Sequence, residues 1–125
     1  MLIVYASKTG KVRSFINKLG MRAVEIKDEI IVTEPFVLIT YTIGFGQVPD
    51  EVQNFLEDNH MYLRGVISSG NRNWGNNFGK AADIISQKYR LRNGSNIPIL
   101  HKFEMAGTNK DIEIVRNRIL YEIAA

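Results

Sequence analysis

The stretch Leu2-Ile3-Val4-Tyr5-Ala6-Ser7-Lys8-Thr9-Gly10 decides the fold. Residues 2–6 form a continuous apolar run, the pattern of a strand buried on both faces. Ser7 to Gly10 make a turn. Val12, Phe15, Ile16 and Leu19 then fall at i, i+3, i+4 and i+7, one face of a helix, which Gly20 stops. The unit recurs. Phe36 to Tyr41, Leu63 to Ser68 and Ile97 to Phe103 are further buried strands. The helical stripes between and after them are Val52, Phe55 and Leu56, then Phe78, Ala81, Ala82, Ile85 and Tyr89, then Ile112, Val115, Ile119 and Ile123. Pro49, Asp50 and Glu51 suit a helix start, and Thr108 with Asp111 resembles a capping box. Ala23 to Ile26 and Ile30 to Val32 are short extended pieces, and one short strand near residues 23–32 brings the strand count to five. Strands alternating with helices predict an α/β fold, a doubly wound parallel sheet with helices on both faces. The order 2-1-3-4-5 is expected, with ligands at the carboxyl ends of strands 1 and 3.

Length and composition agree with one domain over residues 1–125. The chain is 45% hydrophobic and 23% charged, the balance of an ordinary globular protein. No apolar run nears the roughly 18 residues of a membrane span. The strand-like start lacks the basic opening of an export signal, so a cytoplasmic location is expected. Cysteine is absent, which excludes disulfides, thiolate metal sites and cysteine nucleophiles. The net charge is +3, unevenly spread. Residues 1–24 carry five bases and no acid, residues 25–58 carry eight acids and only Lys27, and residues 60–102 carry seven bases and only Asp83. This reads either as a solvated surface or as a basic face for an anionic ligand or an acidic partner. No dense Lys/Arg run or basic–aromatic strand motif points to nucleic acid.

Three loops leave the carboxyl ends of strands and could carry chemistry. The first, Ser7 to Lys11, offers two hydroxyls, a glycine for close backbone approach and a helix N-terminus, a combination that suits a phosphate monoester. It lacks the Walker pattern, and would equally serve as an ordinary strand–helix turn. The second, Thr42 to Val48, contains Gly44-Phe45-Gly46. The third glycine of a dinucleotide fingerprint is missing. Two glycines around an aromatic fit a loop lying against a flat ring, or a plain flexible loop. The third holds the only tryptophan: Gly70-Asn71-Arg72-Asn73-Trp74-Gly75-Asn76-Asn77-Phe78. A Trp among amides and glycines points to a planar ligand or a partner surface, while Asn76 or Asn77 could cap the next helix. Strands 1 and 3 end in Ala6-Ser7 and Tyr41-Thr42, without the acids of a phosphoacceptor. No Gly-x-Ser-x-Gly elbow or metal-ligand set exists, and His60 and His101 read as structural.

The Ser-x-Thr-Gly loop in this alternation resembles that of flavodoxins, which bind flavin mononucleotide (FMN). Three further stretches resemble the NrdI family, the flavodoxin-like partners of class Ib ribonucleotide reductase. They are Thr42-Ile43-Gly44-Phe45-Gly46-Gln47-Val48-Pro49, Ser69-Gly70-Asn71-Arg72-Asn73-Trp74-Gly75, and Lys102-Phe103-Glu104 followed by Gly107-Thr108. Lys11 stands where that family more often has Asn. The resemblance implies a flavodoxin-like fold with FMN as cofactor. Ser7, Lys8, Thr9, Gly10, Lys11 and Val12 would hold its phosphate. Thr42, Ile43, Gly44, Phe45 and Gly46, with Gly70, Asn71, Arg72, Asn73, Trp74, Gly75 and Phe78, would surround its ring. It also implies a role. Reduced flavin, recharged by a flavodoxin reductase or another donor, reacts with O2, and the superoxide or peroxide passes to the small subunit NrdF. There it oxidises a dimanganese centre and generates a tyrosyl radical. The three loops hold Lys8, Lys11 and Arg72 but no carboxylate, so an anionic reduced flavin should be little penalised. The alternatives are a short flavodoxin carrying single electrons and a flavin-free binding module anchored by Trp74.

Overall fold

A computed structural model of the chain describes residues 1–27 and 30–123. The strands are β1 (Leu2–Tyr5), β2 (Ala23–Glu25), β3 (Phe36–Thr40), β4 (Leu63–Gly70) and β5 (Ile99–Glu104). The α-helices are α1 (Lys11–Leu19), α2 (Asp50–Asn59), α3 (Lys80–Lys88) and α4 (Asn109–Arg118). All strand pairs are parallel, and the sheet order is β2-β1-β3-β4-β5. This is the expected flavodoxin-like order. Among the described residues no helix is long and apolar enough to cross a membrane.

Alternation along each strand sends side chains to two separate cores. On one face Val4, Leu38 and Val66 meet Val52, Phe55 and Leu56 of α2 and Ala81, Ala82 and Ile85 of α3. On the other, Ile3, Ile39 and Ile67 meet Val12, Phe15, Ile16 and Leu19 of α1 and Ile112, Val115 and Ile119 near the chain's end. Phe15 stacks on Phe103 of β5 at 4.1 Å between ring centres, tying α1 to the far side of the sheet.

Three expectations shift. Only Ala23–Glu25 forms the edge strand. Ile30 to Val32 is not a strand; its backbone pairs instead with Asn59, whose side chain accepts from Val32 N–H at 2.7 Å and donates to the Ile30 carbonyl at 3.2 Å. Phe78 and Tyr89 flank α3 rather than belong to it. Neither Asn76 nor Asn77 caps α3, because Gly79 occupies the N-cap position in the left-handed conformation.

The capping box on α4 is present: Thr108 Oγ1 accepts from Asp111 N–H at 3.1 Å, and the Asp111 carboxylate accepts from Thr108 N–H at 2.7 Å. The other carboxylate oxygen meets His101 Nε2 at 2.7 Å. Burial pushes the Asp111 pKa up, but His101 and the Thr108 N–H and hydroxyl outweigh it and hold the carboxyl below its ordinary value. A carboxyl depressed in the folded state adds stability above its unfolded pKa of about 3.9 and loses it as pH falls through the folded value. Asp111→Asn is therefore expected to cost about 1–2 kcal/mol at pH 7. The deficit should shrink well below pH 4, where the wild-type carboxyl also gains a proton. Urea unfolding at pH 7 and at pH 3 reads this, and an equal deficit at both would show that the charge plays no part.

Candidate functional site

The loops after β1, β3 and β4, and the turn after β5, enclose a cleft of about 480 Å³ at the carboxyl edge of the sheet. That is within the roughly 300–1,000 Å³ of small-molecule and cofactor sites. From the first loop, Lys8, Thr9, Lys11 and Val12 line it. Lys11 and Val12 open α1, so the positive end of that helix lies at the cleft. Gly10 holds the N-cap position with φ 85°, and Ser7 Oγ accepts from Arg13 N–H at 3.2 Å. Ser7 and Gly10 shape this corner without lining it.

The second loop closes on itself: Ile43 N–H donates to the Gln47 carbonyl at 2.9 Å and Gln47 N–H returns to Ile43 at 2.8 Å. Thr42 and Gly44 line the cleft, while Ile43, Phe45 and Gly46 do not. Thr42 Oγ1 is a buried side-chain polar atom with no hydrogen-bond partner among the described residues. Phe45 is 74% exposed and meets Trp74 edge to face at 4.8 Å.

Gly70, Asn71, Asn73 and Trp74 of the third loop line the cleft. Residues Arg72–Asn77 form short 3₁₀ turns kinked at Gly75, and Asn71 Oδ1 accepts from Asn73 N–H at 2.9 Å. Trp74 is 38% exposed, on the cleft rather than in the core. Arg72, Gly75 and Phe78 lie outside the lining; the Arg72 guanidinium sits 4.6 Å from the Phe78 ring centre. Lys102 Nζ fixes the loop's far end, donating to the Phe78 carbonyl at 3.2 Å and pairing with Asp83 at 2.5 Å.

Three lining residues lie outside the three expected loops, Tyr41, Glu104 and Met105, while Ser69 and Asn77, the two ends of the third loop, line the cleft as well. Tyr41 reads as the last apolar residue of strand 3. Its hydroxyl donates to Glu51 at 2.7 Å, and burial together with that carboxylate pushes its pKa up to about 12, so it stays protonated. Glu104 ends β5 and Met105 follows it, and both reach the site by the topological rule that selects the other loops. The three loops bring no carboxylate, but Glu104 at the end of β5 shares the cleft with Lys8 and Lys11.

The fold resembles that of solved flavodoxins. Flavodoxin 1 from Bacillus cereus is 18% identical, with 93% of this chain and 91% of that one covered and a TM-score of 0.65. A short-chain flavodoxin associated with a non-canonical PDU bacterial microcompartment is 20% identical over 93% and 90%, with a TM-score of 0.66. The flavodoxin of Streptococcus pneumonia TIGR4 is 26% identical over 93% and 92%, with a TM-score of 0.66. These likenesses concern the backbone. The sequence itself matches the family model described as NrdI Flavodoxin like over residues 3–117, a span that takes in all three loops and the turn after β5. The chain thus belongs to the NrdI flavodoxin-like family.

Proposed function

We propose that this chain binds one FMN in the cleft and uses it to supply oxidant to the class Ib ribonucleotide reductase small subunit NrdF. NrdI proteins and flavodoxins are FMN-binding proteins. The observation that carries the reading is the Thr42 hydroxyl, buried at the cleft without a partner among the described residues. Such a group costs stability unless something completes its hydrogen bonding, and the polar edge of a flavin ring would do so. The residues fit the rest of the group. The start of α1 with Thr9, Lys8 and Lys11 suits a doubly charged phosphate. Thr42, Gly44, Asn71 and Trp74 give the flat ring a polar edge and an aromatic neighbour.

Bound FMN supplies stepwise electron transfer and, when reduced, reaction with O2 to superoxide or peroxide. The chain's own part is to orient the ring, leave it a route to the partner and balance its charge. Phe45 and Trp74 form an exposed aromatic pair beside the cleft, a surface suited to a partner protein. Recharging would fall to a flavodoxin reductase or another electron donor, in the cytoplasm. A second reading, a short flavodoxin carrying single electrons, is favoured by Glu104, because a carboxylate near the flavin disfavours its anionic reduced form. A wide separation of the two reduction potentials would support that carrier, and a narrow one the oxidant supplier.

The cofactor prediction is direct. Protein reconstituted with flavin should release FMN at one per chain, read by mass spectrometry and visible absorbance. Release of FAD, or no flavin retained, would overturn the proposal.

A further inference from the structure

The Trp74 loop has no core of its own. Residues 71–76 are all exposed, yet the loop supplies much of one cleft wall. Its anchors come from β5. Lys102 holds the far end through the Phe78 carbonyl and Asp83. Glu104 holds the near end, its carboxylate accepting from Arg72 N–H at 3.0 Å. Two residues apart on one strand, Lys102 and Glu104 project to the same side of the sheet. Their register partners on β4 are Ser68 and Gly70, immediately before the loop. The turn that follows is constrained. Met105 is the only non-glycine residue with positive φ among the described residues, at 57°, and Gly107 N–H donates to the Glu104 carbonyl at 3.0 Å. A side chain held in that region persists where its surroundings over-determine it.

Among the described residues Glu104 is also the one acid lining the cleft, which Lys8 and Lys11 line too. We propose that Glu104 is a positioning residue with two separable effects: its carboxylate latches the start of the Trp74 loop, and its negative charge opposes anionic ligands in the cleft. The second effect rests on the FMN reading; the latch does not.

Glu104→Gln keeps an acceptor oxygen and removes the charge, whereas Glu104→Ala removes both. Exchange of the Arg72 amide, followed by NMR on the flavin-loaded and flavin-free full-length protein, reads the latch. It should accelerate at least about tenfold in Glu104→Ala and less than about threefold in Glu104→Gln, since an exposed amide exchanges slowly only while bonded. An unchanged Arg72 amide in Glu104→Ala would overturn the latch. Should the alanine variant fold poorly, acceleration in Glu104→Gln as large as that expected for the alanine would overturn it instead.

Anaerobic reductive titration with a reference dye reads the charge. Both variants should favour addition of the second electron by about tenfold, or about 59 mV for a one-electron step. A change of less than about twofold in both, with flavin bound, would overturn the electrostatic effect. If the wild-type protein takes up no flavin, the FMN reading fails together with that effect, and the amide exchange still decides the latch.

Discussion

Thr9→Ala and Gly10→Val each weaken FMN binding by at least about tenfold, as titration of the flavin-free protein by flavin fluorescence should show. A hydrogen bond from a hydroxyl to a charged group is worth roughly 1.5–3 kcal/mol, or roughly 10- to 150-fold in affinity. Thr9 lines the cleft beside the start of α1, where its hydroxyl would bond the phosphate of the proposed FMN. Gly10 acts through the backbone. Its φ is 85°, and a Cβ built there meets nothing within 4 Å. Without ligand, a Cβ at this position therefore adds about 1–2 kcal/mol of left-handed strain, to which valine's β-branch adds further backbone strain. With ligand, it also obstructs the approach of the backbone to the phosphate. The signature is a modest loss of stability with a larger loss of flavin affinity. Unchanged affinity in both variants, with the fold intact, would remove this loop from the phosphate site.

Gly107→Ala should instead cost the fold itself, on the order of 2–5 kcal/mol. Gly107 has φ 74°, and a Cβ there would lie 2.6 Å from Phe15 Cδ2 and 2.9 Å from Phe15 Cε2. Phe15 is fully buried and stacked on Phe103, so its ring cannot swing aside. Backbone strain of about 1–2 kcal/mol adds to overpacking of about 1–3 kcal/mol. At roughly 4 °C per kcal/mol for a domain of this size, the thermal midpoint should fall by roughly 8–20 °C. Gly20→Ala is the control: φ is 70° there too, but no atom lies within 4 Å of the added Cβ, so only the strain remains. Equal losses in the two variants would show that the Phe15 contact is tolerated.

The fold was legible because buried parallel strands are written as unbroken apolar runs. Leu2 to Ala6, Phe36 to Tyr41 and Leu63 to Ser68 have no competing reading once helical stripes stand between them. The edge strand was less legible. Three residues pair on one side only, and Ile30 to Val32 looks equally extended until the Asn59 side chain, about 30 residues away, takes its hydrogen bonds. Phe78 continues the α3 stripe by spacing, but Gly79 interrupts the helix, and the carbonyls of Phe78 and Gly79 accept from Lys102 and Ser68. The cleft was legible as loops rather than as atoms. The strand order brings three loops together, but not which side chains turn inward: Arg72 finds the Phe78 ring, and Phe45 faces solvent against Trp74. Glu104 falls in the Lys102-Phe103-Glu104 stretch that carries the family resemblance, but nothing local marks its side chain as turning into the cleft. Its role depends on a hydrogen bond to a residue 32 positions earlier, which local spacing does not encode.

The proposed oxidant supply has one decisive test. Manganese(II)-loaded cognate NrdF is mixed anaerobically with the FMN-loaded, chemically reduced protein. Dioxygen is then admitted, and tyrosyl radical is measured by electron paramagnetic resonance. The account predicts radical on NrdF only when the reduced protein and O2 are both present. Radical no higher than with NrdF, manganese and O2 alone, while FMN is demonstrably bound and reduced, would contradict it.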